Sequence, residues 1–202
     1  MKLYHGSLVD IQDCFLQPRK AFDREDYPTA VSLTEKRIIA LLYSTNPIRA
    51  YFQDNNIVAQ CGAFSCHINR LNDCVCIEEL YEGMFDDVFN RSAFIYTCNV
   101  KADSVEKWND EYRSSTPVLI SRKEKIENVY TILTEFEKDG KVKLYHYNDV
   151  KENWNHFDDL MDSVVHRMSY SASPEEKQYF LYKFKHVKEF VYKLPKEYKD
   201  KI

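Results

Sequence analysis

Glycine is scarce in this chain of 202 residues, which contains only Gly6, Gly62, Gly83 and Gly140. The dinucleotide-binding pattern G-x-G-x-x-G and the P-loop pattern G-x-x-x-x-G-K-[ST] both need closely spaced glycines, because the backbone must approach a phosphate without side chains. No two of these four glycines have either spacing. The sequence therefore excludes P-loop and Rossmann phosphate sites, and a bound dinucleotide must be held in another way.

Long apolar runs are lacking as well. The longest, such as residues 38–43, are far shorter than the roughly 20 apolar residues of a membrane span. The chain has six cysteines, and it does not begin with a charged and then apolar leader, which together favour reduced thiols in a cytosol. We therefore expect a cytoplasmic protein without a membrane span.

The composition indicates a packed core, since 44% of the residues are hydrophobic and the chain has 15 Tyr and 12 Phe. The net charge of −4 argues against indiscriminate nucleic-acid binding, but the charge is uneven: residues 177–202 carry +5 and the rest −9. In this basic segment aromatic residues alternate with lysines. Its apolar helical face predicts docking on the main domain; a partner, membrane-surface or nucleic-acid patch is the alternative.

Hydrophobic periodicity predicts mixed strands and helices without regular βαβ units, so the expected fold class is α+β. The predicted strands are residues 2–8, 29–34, 92–100, 112–120 and 141–147. The predicted helices are residues 35–44, with Thr34 as N-cap, and residues 121–141, 149–168 and 174–192. We predict a main domain over residues 1–148 and a C-terminal helical extension, residues 149–202, packed on it.

Three segments together resemble the ADP-ribosyltransferase superfamily: "YHGS" at 4–7, "VSLTEKRIIALLYS" at 31–44 and "NDEYRSS" at 109–115. The similarity is to the His-Tyr-Glu branch, which includes diphtheria-type toxins, poly-ADP-ribose polymerases and small bacterial members, and it covers residues 3–147. It implies a split antiparallel β core and cleavage of the nicotinamide–ribose bond of NAD. The acceptor of ADP-ribose stays open between a protein, a nucleic acid, a small molecule and water.

The resemblance also implies roles for individual residues. His5 would hydrogen-bond the adenosine ribose of NAD, and the Gly6 backbone, with Ser7 adjoining, would hold the nicotinamide amide. Tyr43 would stack on the nicotinamide ring. Glu111, preferred to Asp110, would hold a ribose hydroxyl and stabilise the cationic sugar of the transition state.

Ser32 departs from the family pattern, because many members have an aromatic residue at this place on the strand. Without that ring the nicotinamide pocket loses one wall, unless Tyr27 or Tyr51 replaces it. A non-catalytic binding module on the same fold is therefore a second hypothesis, and an interaction protein acting through the basic C-terminal helix is a third. The cations Arg19, Lys20 and Arg24 either face the NAD pyrophosphate or belong to a solvated loop.

A zinc site is the alternative for residues 61–76, which contain four cysteines and His67. The spacing is C-x4-C followed by C-x-C, not the paired C-x2-C of zinc motifs, so we expect no metal. Cys66 and His67 do not make a cysteine-protease pair either, because adjacent residues seldom face each other as nucleophile and base.

Overall fold

The structure is a computed structural model that describes residues 1–20, 29–59, 64, 66–71, 74–108 and 111–202. These residues form twelve strands and nine α-helices. In chain order the strands are β1 Lys2–Ser7, β2 Phe15–Leu16, β3 Arg19–Lys20, β4 Thr29–Leu33, β5 His67–Leu71, β6 Cys74–Glu78, β7 Ala93–Asn99, β8 Glu106–Trp108, β9 Glu111–Ser114, β10 Val118–Leu119, β11 Arg122–Ile126 and β12 Val142–Tyr145. The helices are α1 Arg37–Tyr43, α2 Pro47–Asp54, α3 Met84–Phe89, α4 Val129–Lys138, α5 Tyr147–Glu152, α6 Trp154–Tyr170, α7 Pro174–Phe184, α8 Lys188–Lys193 and α9 Lys196–Lys199.

The chain divides into two compact units, and the predicted class α+β is confirmed. The first unit comprises Met1–Asn46 and Val88–Thr131, and the second comprises Pro47–Asp87 and Ile132–Ile202. This division does not follow the predicted boundary at residue 148, because the C-terminal helices share a unit with residues 47–87. None of the helices in the described part of the chain combines the length and apolar character needed to cross a bilayer.

The first unit contains two main antiparallel sheets, with strand orders β1-β7-β11 and β3-β4-β9-β8, and a small β2-β10 pair. A single bridge joins the main sheets: the Tyr4 and Thr34 backbones exchange hydrogen bonds of 2.8 and 2.9 Å. Apolar residues of β1, β2, β4, β7 and β10 pack together, and in β4 and β7 they recur at every second position, as the period of two predicts. They form one buried cluster: Leu3, Leu16, Val31, Leu33, Tyr96, Cys98 and Val118.

The second unit is built on a mixed sheet of order β12-β6-β5, in which β12 is parallel to β6 and β5 is antiparallel to it. Helices α6, α7 and α8 pack beside each other in this unit. Their core is aromatic, since Phe157, Tyr179, Phe180, Phe184 and Phe190 are all fully buried. The apolar face of the C-terminal segment is therefore buried within this unit, whereas its docking on a main domain of residues 1–148 stays a prediction.

Several local predictions are wrong. Residues 112–120 form two strands, β9 and β10, and the predicted helices 149–168 and 174–192 are each divided, into α5 and α6 and into α7 and α8. Residues 121–141 are not one helix: residues 122–126 form β11, and α4 begins only at Val129. In β11 Glu124 is partly buried and Ile126 is buried, and the pairing of the strand with β7 outweighs the helical preference of its lysines and its glutamate. Thr34 is not the N-cap of α1, because the helix begins at Arg37 and the Thr34 Oγ1 instead accepts from the Lys36 N–H, at 3.2 Å.

Candidate functional site

His5 lies on β1 with its imidazole partly buried and fixed by a backbone carbonyl of the neighbouring sheet. Its Nδ1 lies 2.8 Å from the carbonyl oxygen of Ser32. A carbonyl can only accept, so Nδ1 carries the proton and donates, and the Nε2 of the neutral ring is an acceptor. Burial lowers the pKa of His5 below its ordinary value of 6.5, outweighing the Ser32 hydrogen bond, which raises it; the Arg19 charge lowers it further. The ring is therefore neutral at pH 7, with Nε2 able to accept from a hydroxyl.

The register of the four-stranded sheet brings three of the predicted site residues onto one face. Ser32 is opposite Arg113 on β9, and Arg19 is opposite Ala30, two residues before Ser32 on β4. Glu111 is two residues before Arg113. Because opposite residues and residues two apart share a face, Arg19, Ser32 and Glu111 all belong to the same face. Glu111 is partly buried there.

Arg113, a neighbour of Glu111 in the motif, and Trp108, which the sequence did not single out, complete this face. Glu111 is opposite Trp108 on β8, and the Arg113 guanidinium lies 4.4 Å from the centre of the Trp108 ring. Arg113 is buried and Trp108 is half exposed. Because Arg113 follows Glu111 by two residues on a predicted strand, the sequence indicates that the two residues share a face. The pairing of Trp108 with Glu111 depends on the register of the β8–β9 hairpin, which the sequence does not reveal.

Gly6 lies where β1 and α1 approach most closely. A Cβ built on Gly6 would lie 1.8 Å from the carbonyl oxygen of Ala40 and 2.9 Å from the backbone nitrogen of Ser44. The glycine is thus required by the packing of α1 on β1, whether or not a nucleotide binds.

The backbone of Gly6 faces the side of β1 opposite to β7. The Tyr4 N–H and C=O point away from β7, because they bond Thr34. Backbone groups of an antiparallel strand alternate in direction, so those of Gly6 point the same way as those of Tyr4. An N–H and a C=O side by side are the partners that a carboxamide needs.

Two further predicted site residues are Tyr43, the last residue of α1, and Ser7, the last residue of β1. Tyr43 is the last residue of α1, directly before Ser44, and its side chain is 48% exposed. The Ser7 Oγ accepts from the backbone N–H of Val9 at 3.0 Å. Ser7 therefore shapes the turn after β1, whereas Tyr43 is about half exposed at the end of α1.

Some of the expected site residues are placed elsewhere or are not described. Arg24, Tyr27 and Asp110 lie outside the described residues. Lys20 is exposed and, as the neighbour of Arg19 on β3, belongs to the opposite face. Tyr51 belongs to the second unit, where its ring centre lies 5.6 Å from that of Tyr179 and 5.8 Å from that of Tyr182.

The cysteine-rich segment separates into different environments. Cys61 lies outside the described residues, and Cys66 is buried. Burial raises the pKa of the Cys66 thiol, and the nearby Glu79 charge raises it further, so it is a poor nucleophile. His67, which the zinc alternative groups with these cysteines, contacts the carboxylate of Glu78 at 2.5 Å.

No family model, no curated protein and no solved structure matches this chain. A functional assignment must therefore rest on the residues and the geometry of the site itself.

Proposed function

We propose that this chain is an ADP-ribosyltransferase that binds NAD in its first unit and transfers ADP-ribose to an acceptor. In this proposal the His5 Nε2 accepts from a ribose hydroxyl, the Gly6 backbone pairs with the nicotinamide carboxamide, and Tyr43 stacks on the ring. Arg19 faces the pyrophosphate. Glu111 is the catalytic carboxylate.

One observation carries the proposal: residues from three distant segments converge on adjoining strands of one unit. His5 bonds the Ser32 carbonyl directly, and Ser32 and Glu111 share a face of the next sheet. The two antiparallel sheets, joined at Tyr4 and Thr34, are consistent with the split β core that the family resemblance implies. A chance similarity of short motifs gives no reason for the three segments to meet.

The proposed reaction breaks the bond between the ribose carbon and the nicotinamide nitrogen. The bonding electron pair leaves with nicotinamide, which becomes neutral, and the ribose becomes oxocarbenium-like. The Glu111 carboxylate faces this positive charge and holds a ribose hydroxyl, so it stabilises the transition state more than the ground state. The acceptor then bonds the sugar carbon and loses its proton to solvent. Protein, nucleic acid, small molecule and water all stay open as acceptors.

Ser32 supports a second candidate, a binding module that holds NAD without cleaving it. Its hydroxymethyl group offers no ring surface opposite Tyr43. A nicotinamide held on one face alone is less restricted in orientation, and loss of orientation slows the chemical step more than binding.

The test is the release of free nicotinamide from NAD by the purified full-length protein. We expect Glu111→Gln to reduce release at least ~100-fold, because removing one charged group that stabilises a transition state has an effect of that size. The matched control is Glu127→Gln, which removes an exposed carboxylate of the same unit whose partner is Lys125. Equal release by Glu111→Gln and the wild type contradicts the catalytic role. NAD binding without release by the wild type, with water and candidate acceptors present, favours the binding module.

A further inference from the structure

The second unit contains a cluster of two histidines and one carboxylate that the proposed NAD site does not use. The Nδ1 of His67 lies 2.5 Å from the Oε2 of Glu78. The Nε2 of His156 lies 2.9 Å from the same Oε2 and 3.1 Å from Oε1. One potential ligand atom from each residue lies within 4.8 Å of both others. Among the described residues this is the one His, Cys, Asp and Glu group with such mutual proximity.

Secondary structure fixes all three side chains. His67 is directly opposite Glu78 in the antiparallel β5–β6 register. His156 is the third residue of α6, a helix held in the unit by the buried side chains of Phe157, Leu160 and Met161. The rings of His67 and His156 are inclined at 63° to each other, with centres 5.5 Å apart. Two strands and one long helix therefore hold the ligand atoms in a defined arrangement.

The cluster is accessible to an ion from solvent. The side chains of His67 and His156 are 37% and 32% exposed, whereas Glu78 is 13% exposed. The carboxylate is thus at the base of the cluster and the imidazoles are at its rim.

We propose that His67, Glu78 and His156 bind a divalent transition-metal ion of the zinc type, with one coordination position left open. Two imidazoles and one carboxylate are a known ligand set for zinc, and three protein ligands leave a fourth position for water or a substrate. A tetrahedral ion about 2.1 Å from each ligand separates the ligand atoms by about 3.4 Å. The separations from Glu78 Oε2, 2.5 and 2.9 Å, are shorter than that value, and the three ligand atoms lie within 4.8 Å of one another, so small side-chain rotations accommodate the ion.

Binding replaces the two hydrogen bonds to Glu78. Each imidazole now donates a proton from the nitrogen that would coordinate, so that proton must move to the other ring nitrogen or to solvent. The ion then occupies the position between the three groups, and its charge compensates the carboxylate. The site is independent of the proposed NAD site, since its three residues all belong to the second unit.

Two cysteines on the same strand as Glu78 could bind the same ion, so the test must distinguish thiolate ligands from imidazole and carboxylate ligands. Cys74 and Cys76 alternate along β6 and share the face of Glu78. Thiolate ligands give cobalt a strong near-ultraviolet charge-transfer band that imidazole and carboxylate ligands do not give. Co²⁺ is therefore the spectroscopic probe and Zn²⁺ the calorimetric one.

The experiment titrates the metal-free, reduced, full-length protein with Zn²⁺ at neutral pH. We expect one ion per chain, and His67→Asn and His156→Asn each to weaken binding at least ~10-fold. His166→Asn is the matched control, because His166 is an exposed histidine on the same helix. Zn²⁺ should raise the melting temperature of the wild type and of His166→Asn but not of His156→Asn, and melting of the metal-free variants checks their folding.

Three results would overturn the proposal. One is the absence of stoichiometric Zn²⁺ binding by the wild type. Another is an equal loss of affinity in His166→Asn and His156→Asn. The third is a Co²⁺ spectrum with a thiolate band that disappears in Cys74→Ser or Cys76→Ser. A tetrahedral Co²⁺ spectrum without that band, lost in His156→Asn, supports the proposal.

Discussion

At the scale of single residues, Gly6 shows that one position can serve packing and binding together. Its missing Cβ lets α1 approach β1, since a methyl group there would overlap the Ala40 carbonyl. The same position turns its backbone to the side of β1 opposite to β7, where we propose that the carboxamide of NAD binds. A substitution at Gly6 therefore cannot separate the two roles, and His5 is the better residue for a binding test.

Gly6→Ala should destabilise the fold by about 2–3 kcal/mol, because a contact of 1.8 Å with a backbone oxygen forces the helix away from the strand. The measurement is urea unfolding without NAD. Lys2→Ala, at an exposed position of the same strand, should change the free energy of unfolding by less than about 0.5 kcal/mol. Equal stability of Gly6→Ala and the wild type would contradict this account of the helix–strand contact.

His5 should make the stability of the protein depend on pH below neutrality. Its pKa in the folded state is below 6.5, so the unfolded chain binds more protons as the pH falls through that value. The stabilisation is complete above pH 6.5 and is lost below it, at up to about 1.4 kcal/mol per pH unit.

The measurement is the free energy of unfolding at several pH values between about 7.5 and 5. In His5→Asn this dependence should be flatter than in the wild type, whereas His186→Asn, at an exposed position, should keep the wild-type slope. Parallel curves for His5→Asn and the wild type would show that His5 is not held neutral by the fold.

At the scale of elements, sequence patterns predicted those strands whose burial alternates locally. The strands at 2–8, 29–34 and 92–100 correspond to β1, β4 and β7, with ends within about two residues. The start of α7 at Pro174 could also be predicted from the sequence, since Ser173 and Glu176 form a capping box. The strand β11 could not be predicted, because its partner β7 lies more than 20 residues earlier and the composition of β11 favours a helix.

The basic C-terminal segment, residues 177–202, contributes buried aromatic residues to the core of the second unit. Phe180, Phe184 and Phe190 are fully buried, whereas Tyr182 and Tyr192 are exposed beside lysines. The apolar half of the segment is thus part of the core of the second unit. Deleting residues 177–202 would remove that core, so it cannot test the interaction hypothesis cleanly.

Phe184→Ala should destabilise the second unit by about 3–5 kcal/mol, since it removes a fully buried ring that contacts Tyr81 and Phe190. Tyr192→Ala, in α8 and 83% exposed, is the matched control and should cost less than about 0.5 kcal/mol. Thermal or urea unfolding followed by circular dichroism compares them. Similar losses in both variants would mean that the aromatic core is misassigned.

At the scale of the whole molecule, the two candidate sites differ in how far the sequence could predict them. The proposed NAD site has short local motifs at His5 and Glu111, and these motifs suggested that the segments meet. Trp108 could not be predicted as part of this site, because its contact with Arg113 depends on the register of β8 and β9. The metal cluster has no local signature, since His156 lies 78 residues from Glu78 and no spacing rule connects them.

Titration calorimetry measures whether the full-length protein binds NAD at equilibrium. We expect one NAD per chain and at least ~10-fold weaker binding by His5→Asn, because a lost hydrogen bond costs about 1.5 kcal/mol. The control His166→Asn should bind as the wild type does. An absence of NAD binding by the wild type, or equal affinity in His5→Asn, would contradict the claim that the first unit is an NAD site.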